Sequence, residues 1–147
     1  MQGKMARVAD ANARVVRYTG ITVEQPIEVM VVDDEPDIRF MLRMTIGRRP
    51  GFDITREAGN GAEALAQMGA GCPDAVLLDI GMPVMDGIEA AWQIRDLCPQ
   101  TKIIILSAYT ADSLVEEALA RGADLYLEKT TPPSEIAEAV QRLCRAA

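Results

Sequence analysis

The sequence predicts an α/β fold in which helices cover both faces of a parallel β-sheet. From Ile27 onward, strand-like and helix-like segments alternate at short spacing, which is the pattern of consecutive βαβ units. Three of the strand-like segments are continuous apolar runs, as expected of strands that are buried on both faces. With 147 residues, 49% of them hydrophobic, the chain is long enough to form one domain with a substantial core.

Five strands are predicted from short apolar runs bounded by polar residues, glycine or proline. They span Glu28–Val32, Phe52–Ala58, Ala75–Leu78, Lys102–Leu106 and Leu125–Leu127. The second strand alternates more than the others and carries Arg56 and Glu57, so we expect it at an edge of the sheet.

Five helices are predicted between and after these strands. The first begins near Asp34, a good N-cap, has Pro36 in its first turn and stops at about Arg49. The others are predicted over about Ala62–Met68, from after Gly87 to Cys98, over about Ser113–Arg121, and after Ser134. Together these elements predict a three-layer, flavodoxin-like (βα)5 sandwich with a parallel sheet of strand order 2-1-3-4-5.

The third predicted helix contains the single tryptophan of the chain. Residues Ile88, Ala91, Ile94 and Cys98 define its buried stripe at helical spacing, and Trp92 falls toward the edge of that stripe. We therefore expect Trp92 to be partly buried rather than to contact a partner.

Residues 1–26 are predicted to form a flexible tail that precedes a domain over residues 27–147. Val8, Ala11, Val15 and Val16 could line one face of a helix, and the stretch from Gly20 to Pro26 is typical of a linker.

The absence of histidine and the distribution of charge narrow the possible functions. Without histidine the chain is neither a Ser-His-Asp nor a Cys-His hydrolase, and it carries no phosphohistidine of its own. The whole chain has a net charge of −7 and residues 1–26 contribute +2, so the following 121 residues carry −9. A domain this acidic lacks the electrostatic footprint of a nucleic-acid-binding protein.

Nothing in the sequence indicates a membrane span or a signal peptide, so we expect a cytoplasmic protein. The three cysteines, Cys72, Cys98 and Cys144, are odd in number and not closely paired, which predicts free thiols in a reducing compartment. A zinc site is not expected, because there is no C-x-x-C motif and no histidine.

Acidic residues directly follow two of the predicted strands. Asp33 and Asp34 follow the first strand, and Asp79 follows the third. Because the carboxyl ends of parallel strands meet at one edge, where ligands bind in open sheets, we expect these carboxylates to converge. Converging carboxylates raise one another's pKa unless a cation lies among them, and Mg²⁺ prefers oxygen ligands. The sequence therefore predicts a Mg²⁺ site at this edge.

Two further polar residues follow the fourth and fifth strands at the same edge. Ser107 has a hydroxyl that could donate to a phosphoryl oxygen, and Lys129 has an ammonium that could pair with a carboxylate or a phosphoryl group. Their ordinary interpretations are a serine that ends a strand and a solvated lysine. Three acids, one hydroxyl and one amine are nevertheless the groups needed to hold Mg²⁺ and a phosphoryl group on an aspartate.

These residues, with Met82-Pro83-Val84-Met85-Asp86-Gly87 after Asp79, resemble the receiver (REC) domain of two-component response regulators. The resemblance covers about Ile27 to Arg145 and rests on the ordered set Asp-Asp, L-L-D-I-x-M-P-x-M-D-G, Ser-Ala and Tyr-x-x-Lys. The chain ends soon after the fifth predicted helix, so we expect the single-domain type, without a helix-turn-helix.

The resemblance implies a role for each of these residues. Asp79 would be the phosphoacceptor, taking its phosphoryl group from a sensor histidine kinase or a phosphotransfer protein. Asp33, Asp34 and Asp79 would bind Mg²⁺ together with the backbone carbonyl of Gly81. Ser107 and Lys129 would contact the phosphoryl group.

The resemblance also implies how the signal leaves the domain. Ser107 and Tyr126 would form the switch, and the fourth helix, fifth strand and fifth helix, from about Ser113 to Arg145, would bind a downstream protein. A phosphorylation-dependent homodimer is an open alternative. No enzymatic activity is implied beyond self-phosphorylation and self-dephosphorylation at Asp79.

Two positions depart from the family pattern. Lys129 precedes Thr130 rather than a proline, so we do not expect a cis peptide bond there. Gly81 has no side chain and Tyr109 has a large one, and both positions border the route of the hydrolytic water. The lifetime of the phosphoryl group is therefore not predicted.

Two other classes of protein fit parts of the pattern. A phosphatase of the haloacid-dehalogenase type also uses an aspartate nucleophile, but it places a second aspartate where this chain has Gly81. A flavin-binding, flavodoxin-like carrier needs a phosphate-binding loop after the first strand, where Asp33-Asp34-Glu35 would repel a flavin phosphate.

Overall fold

The computed structural model describes residues 5–7, 15–18 and 21–145 of the chain. Its strands are β1 Met5–Arg7, β2 Val15–Tyr18, β3 Ile21–Glu24, β4 Ile27–Val32, β5 Phe52–Ala58, β6 Ala75–Leu78, β7 Lys102–Ser107 and β8 Leu125–Glu128. Its helices are α1 Pro36–Thr45, α2 Gly61–Met68, α3 Gly87–Leu97, α4 Asp112–Ala120 and α5 Pro133–Arg145. A 3₁₀ helix, Ile46–Arg48, continues α1.

Strands β4 to β8 form a parallel sheet in the order β5-β4-β6-β7-β8. Counted from the first strand of that sheet, this is the predicted order 2-1-3-4-5, and β5 lies at the edge as expected. Helices cover both faces, so the predicted three-layer fold is confirmed.

Alternating residues of the central strands build two apolar clusters, one on each face of the sheet. Met30, Val76 and Ile103 point toward α2, α3 and α4. Their neighbours Val29, Ala75 and Ile104 belong to the cluster that contains α1 and α5. Burial on both faces explains why these strands are continuous apolar runs in the sequence.

The start of α1 differs from the prediction. The N-cap is Glu35, in extended backbone with φ −90° and ψ 112°, and not Asp34. Pro36 begins the helix, and a residue that precedes proline is disfavoured in the α region. Proline therefore sets the boundary, and Asp34 lies outside the helix.

Strands β1, β2 and β3 form a separate antiparallel sheet. Val15 and Val16 lie in β2, so the helical face considered for them is wrong, while Val8 and Ala11 lie outside the described residues. Glu24 at the end of β3 pairs with Arg145 of α5, with an oxygen–nitrogen distance of 3.0 Å. Ile21–Glu24 form β3, so the linker predicted from Gly20 to Pro26 is wrong for these four residues. The flexible tail proposed for residues 1–26 and the boundary at residue 27 stay predictions.

Within the described residues, no helix is both long and apolar enough to cross a membrane. The cytoplasmic location stays a prediction.

Cys72 and Cys98 form a disulfide, so the prediction of free thiols is wrong for these two residues. Cys72 lies in the loop before β6, and Cys98 is the C-cap of α3, which leads into β7. Because β6 and β7 pair in the sheet, the two segments meet at its amino edge with 5.7 Å between the Cα atoms. Cys144 keeps its thiol, and its Sγ lies 3.8 Å from the Asp74 carbonyl oxygen.

Reduction of this disulfide should lower the stability of the domain. The bridge joins residues 26 positions apart, a loop whose closure entropy corresponds to roughly 3 kcal/mol of unfolding free energy. Urea unfolding with and without reductant measures the difference. A Cys72→Ser variant is the control, because its stability should not respond to the reductant. An equal response of both proteins would contradict the prediction.

Candidate functional site

Asp33 and Asp79 lie side by side because of the pairing of β4 with β6. Val32 is in register with Leu78, so the residue after each strand reaches the same edge of the sheet. The Asp79 N–H donates to the Val32 carbonyl at 2.9 Å, and the Asp33 N–H donates to the Ala58 carbonyl at 3.0 Å. Both side chains are almost fully buried, with 3% and 5% of their residues' surface exposed.

Lys129 contacts both buried carboxylates. Its Nζ lies 3.0 Å from Oδ2 of Asp33 and 3.2 Å from Oδ2 of Asp79. The backbone places it there, since Lys129 follows β8 and its N–H donates to the Ser107 carbonyl at 2.9 Å. The interpretation of Lys129 as an ordinary solvated lysine is therefore wrong.

Two carboxylates that share one ammonium leave a buried negative charge. Burial raises the pKa of Asp79 above its ordinary value, and the charge of Asp33 raises this pKa further, against the opposing effect of Lys129. Burial by itself would lower the pKa of Lys129, but its hydrogen bonds and charge interactions with Asp33 and Asp79 together raise that pKa. A bound cation would relieve the imbalance.

Asp34 completes a set of three acids. One carboxylate oxygen from each of Asp33, Asp34 and Asp79 lies within 4.8 Å of the others. Asp34 is exposed, and within the described chain its carboxylate accepts no hydrogen bond, whereas Asp33 accepts one from the Glu35 N–H at 2.9 Å. The set is all oxygen and partly open to solvent, which fits a hydrated Mg²⁺ ion. The Gly81 carbonyl stays a predicted ligand.

Ser107 and Tyr126 are joined through the backbone of Tyr109. The buried Ser107 hydroxyl oxygen accepts a hydrogen bond from the Tyr109 N–H at 2.9 Å. The Tyr126 hydroxyl, on a half-buried ring, donates to the Tyr109 carbonyl. The predicted switch residues are thus two ends of one short chain of hydrogen bonds, although their movement stays a prediction.

Three contributions to the site were not anticipated from the sequence. Gly87 packs against Asp79 so closely that a Cβ atom there would lie 2.0 Å from the Asp79 carbonyl oxygen. Arg39 donates to the Asp33 carbonyl at 2.5 Å, and Glu35 lies 4.0 Å from Lys129. Only the M-D-G motif, which ends at Gly87, offered a sequence signal for any of them.

No cis peptide bond is present between described residues, which agrees with the expectation for Lys129-Thr130.

The chain is similar to known proteins in both sequence and fold. The sequence profile of the response regulator receiver domain matches residues 29–141. The response regulator protein VraR of Staphylococcus saprophyticus is 35% identical over 117 residues, which is 80% of this chain and 56% of VraR. The chain thus spans little more than half the length of this curated relative.

Solved structures agree with this match. The signal receiver domain of the response regulator NarL from Mycobacterium tuberculosis has a TM-score of 0.78 and 32% identity, over 83% of this chain and 98% of that one. A chain of the CheX-CheY-BeF3-Mg²⁺ complex from Borrelia burgdorferi has a TM-score of 0.74 and 30% identity, over 80% of this chain and 89% of that one.

The raised pKa of Asp79 predicts that Asp79→Asn stabilises the metal-free fold at neutral pH, because it removes a buried charge. In wild type, folding raises the pKa of Asp79 above 3.8, so the folded state binds a proton that the unfolded chain has lost. The free energy of unfolding of wild type should therefore approach that of the variant as the pH falls from the raised pKa of folded Asp79 toward 3.8.

Thermal melts of both proteins across this pH range measure the difference. Asp96→Asn, at an exposed position of α3, is the control and should show no such convergence. A variant less stable than wild type at neutral pH would contradict the assignment of the buried charge to Asp79.

Proposed function

The chain belongs to the receiver-domain family of two-component response regulators, and on that premise we propose that Asp79 accepts the phosphoryl group. The observation that carries the assignment is the placement of the Asp79 carboxylate. It is buried at the carboxyl edge of the sheet, 3.2 Å from the Lys129 ammonium and within reach of two further acids. The partner that donates the phosphoryl group would be a histidine kinase or a phosphotransfer protein.

Phosphoryl transfer requires little of the protein beyond position and charge. A carboxylate oxygen of Asp79 forms the new P–O bond while the P–N bond of the donor phosphohistidine breaks, and the donor nitrogen keeps that electron pair. Lys129, already hydrogen-bonded to Asp79, pairs with a phosphoryl oxygen. Asp33, Asp34, Asp79 and the Gly81 carbonyl would hold Mg²⁺, which would supply positive charge beside the transferred group.

Ser107 is proposed to read the phosphorylated state. Its hydroxyl oxygen accepts from the Tyr109 N–H, so its own hydrogen remains available to a phosphoryl oxygen. A movement of Ser107 would disturb Tyr109 and, through the Tyr109 carbonyl, the hydroxyl of Tyr126. The face formed by α4, β8 and α5 would then change its affinity for a downstream protein or for a second copy of the chain.

The other classes considered have less support. Membership in the receiver family disfavours the haloacid-dehalogenase alternative, and we propose no chemistry beyond phosphorylation and dephosphorylation of Asp79. Because the chain spans 56% of VraR, activities of the complete relatives are not transferred to it.

Replacement of the proposed phosphoacceptor tests this function. Asp79→Asn should abolish labelling by a small phosphodonor in the presence of Mg²⁺, because an amide does not form the acyl phosphate. Intact-mass measurement follows the labelling, and Asp96→Asn should be labelled like wild type. Full labelling of the Asp79→Asn variant would refute the assignment.

Mg²⁺ should stabilise the unphosphorylated fold, because it relieves repulsion among the three acids. The gain should reach about 2.7 kcal/mol when Mg²⁺ is present at 100 times its dissociation constant. Asp34→Asn should reduce this gain more than Asp33→Asn, since Asp33 already pairs with Lys129. Thermal melts of metal-stripped protein measure the effect.

The control is Asp37→Asn, an exposed acid in the first turn of α1 that should retain the full gain. A melting temperature that does not respond to Mg²⁺ in wild type would rule out the metal site.

A further inference from the structure

A groove between α3 and α4 begins beside the phosphoacceptor site. Its volume is about 880 Å³. Ile88 and Trp92 line one wall, four residues apart on α3, and the other wall is lined by Leu114 and Glu117 of α4 and by Arg121, its C-cap. The loops after β6 and β7 close one end, where Gly81 and Tyr109 also line the groove.

The groove exposes aromatic surface that the fold does not bury. Trp92, which we expected to be partly buried, is 54% exposed, and Tyr109 is 56% exposed. Ile80 and Met82, which belong to the buried core, also line the groove. Exposed aromatic side chains that line a groove with other apolar residues are typical of a surface that binds another molecule.

The charge around the groove is mainly negative. Four acids line it, Asp34, Asp86, Glu89 and Glu117, against one base, Arg121. Asp86 has a structural role, because it caps α3 by accepting from the N–H groups of Ile88 and Glu89 at 2.9 Å. Glu89 lies in the first turn of α3, where a negative charge favours the helix.

Glu117 has no such structural reason. It lies in the last turn of α4, which contains no basic residue, and a negative charge there opposes the helix dipole. Within the described residues its carboxylate has no ion-pair partner closer than 4 Å. An apolar surface bordered by four acids and one base is complementary to a cationic amphipathic segment.

We propose that the α3–α4 groove binds an amphipathic helix of a partner protein, with an apolar side chain against Trp92 and lysine or arginine near Glu117 and Glu89. A helix that inserts apolar residues into a groove between helices is a common mode of peptide recognition. A second copy of the domain is the less complementary occupant, because residues 27–147 carry a net charge of −9. This surface differs from the α4–β8–α5 face, since Ile88, Glu89 and Trp92 of α3 line it.

The experiment begins with a random library of helical peptides displayed on phage and selected on the full-length chain. Peptides that also bind a double variant, Trp92→Ala with Glu117→Gln, are discarded, because they bind outside the groove. The selected sequences should combine an apolar stripe at helical spacing with lysine or arginine. Selection of acidic or uncharged sequences, or no sequence that distinguishes the two proteins, would overturn the proposal.

Binding of a synthetic copy of one selected peptide then tests the apolar and the acidic parts of the groove separately. Trp92 is the only tryptophan of the chain, so its emission should shift to the blue as the peptide covers it. Glu117→Gln should weaken binding roughly fivefold, and added salt should weaken binding to wild type. Glu116→Gln, an adjacent acid on α4 that does not line the groove, is the matched control and should change affinity by less than about twofold.

Leu97→Ala removes an exposed apolar residue of α3 outside the groove and should leave binding unchanged, whereas Trp92→Ala should abolish it. Equal effects of Glu117→Gln and Glu116→Gln, or an unshifted Trp92 emission, would overturn the proposal. So would a dimer of the chain that Trp92→Ala disrupts, since a second copy would then be the occupant. Asp79→Asn should still bind the peptide, so this test does not depend on the phosphoacceptor assignment.

Discussion

Asp33 and Asp79 are buried beside each other, and the single ammonium of Lys129 lies within 3.2 Å of both. This arrangement leaves an excess of buried negative charge on Asp33 and Asp79, which costs free energy in the absence of a cation. The surrounding backbone is built to maintain it. The register of β4 with β6 fixes the two acids, Arg39 holds the Asp33 carbonyl, and the missing side chain of Gly87 lets α3 approach the Asp79 carbonyl. The site is thus held in an unfavourable electrostatic state by favourable packing, and cation binding is the natural response of such a site.

The connection from this edge to the surface passes through Tyr109. Its N–H donates to Ser107, its carbonyl accepts from Tyr126, and its ring approaches Gly81 so closely that a Cβ atom at Gly81 would lie 3.1 Å from it. One residue therefore contacts the proposed switch, the rim of the phosphoacceptor site and the α3–α4 groove. Because these contacts share one short segment, a rearrangement at Ser107 would alter both surfaces that α4 borders, the α4–β8–α5 face and the α3–α4 groove.

The opposite edge of the sheet is fastened by covalent and polar links that take no part in the proposed chemistry. The Cys72–Cys98 disulfide ties the loop before β6 to the end of α3. Arg95 donates to the carbonyls of Thr101 and Gly122 and pairs with Asp124, whose carboxylate also accepts the Ile103 N–H. These contacts fix the amino ends of the strands, so the domain has one heavily cross-linked edge and one edge that carries charge.

The sequence by itself determined the layers, the strand order and the edge at which Asp33, Asp34, Asp79, Ser107 and Lys129 meet. The layers and the edge follow from local rules, since apolar runs mark buried parallel strands and the residue after such a strand reaches the carboxyl edge. The strand order follows from the flavodoxin-like fold class that the alternating strands and helices indicate. Only the tertiary structure decided which side chains pair there, because the contacts of Lys129 join residues that are 50 and 96 positions apart in the chain. The same holds for the disulfide and for the exposure of Trp92, which depends on where α4 leaves the neighbouring surface open. Helical periodicity placed Trp92 at the edge of a stripe, but periodicity describes one helix, and burial is set by the elements that pack against it.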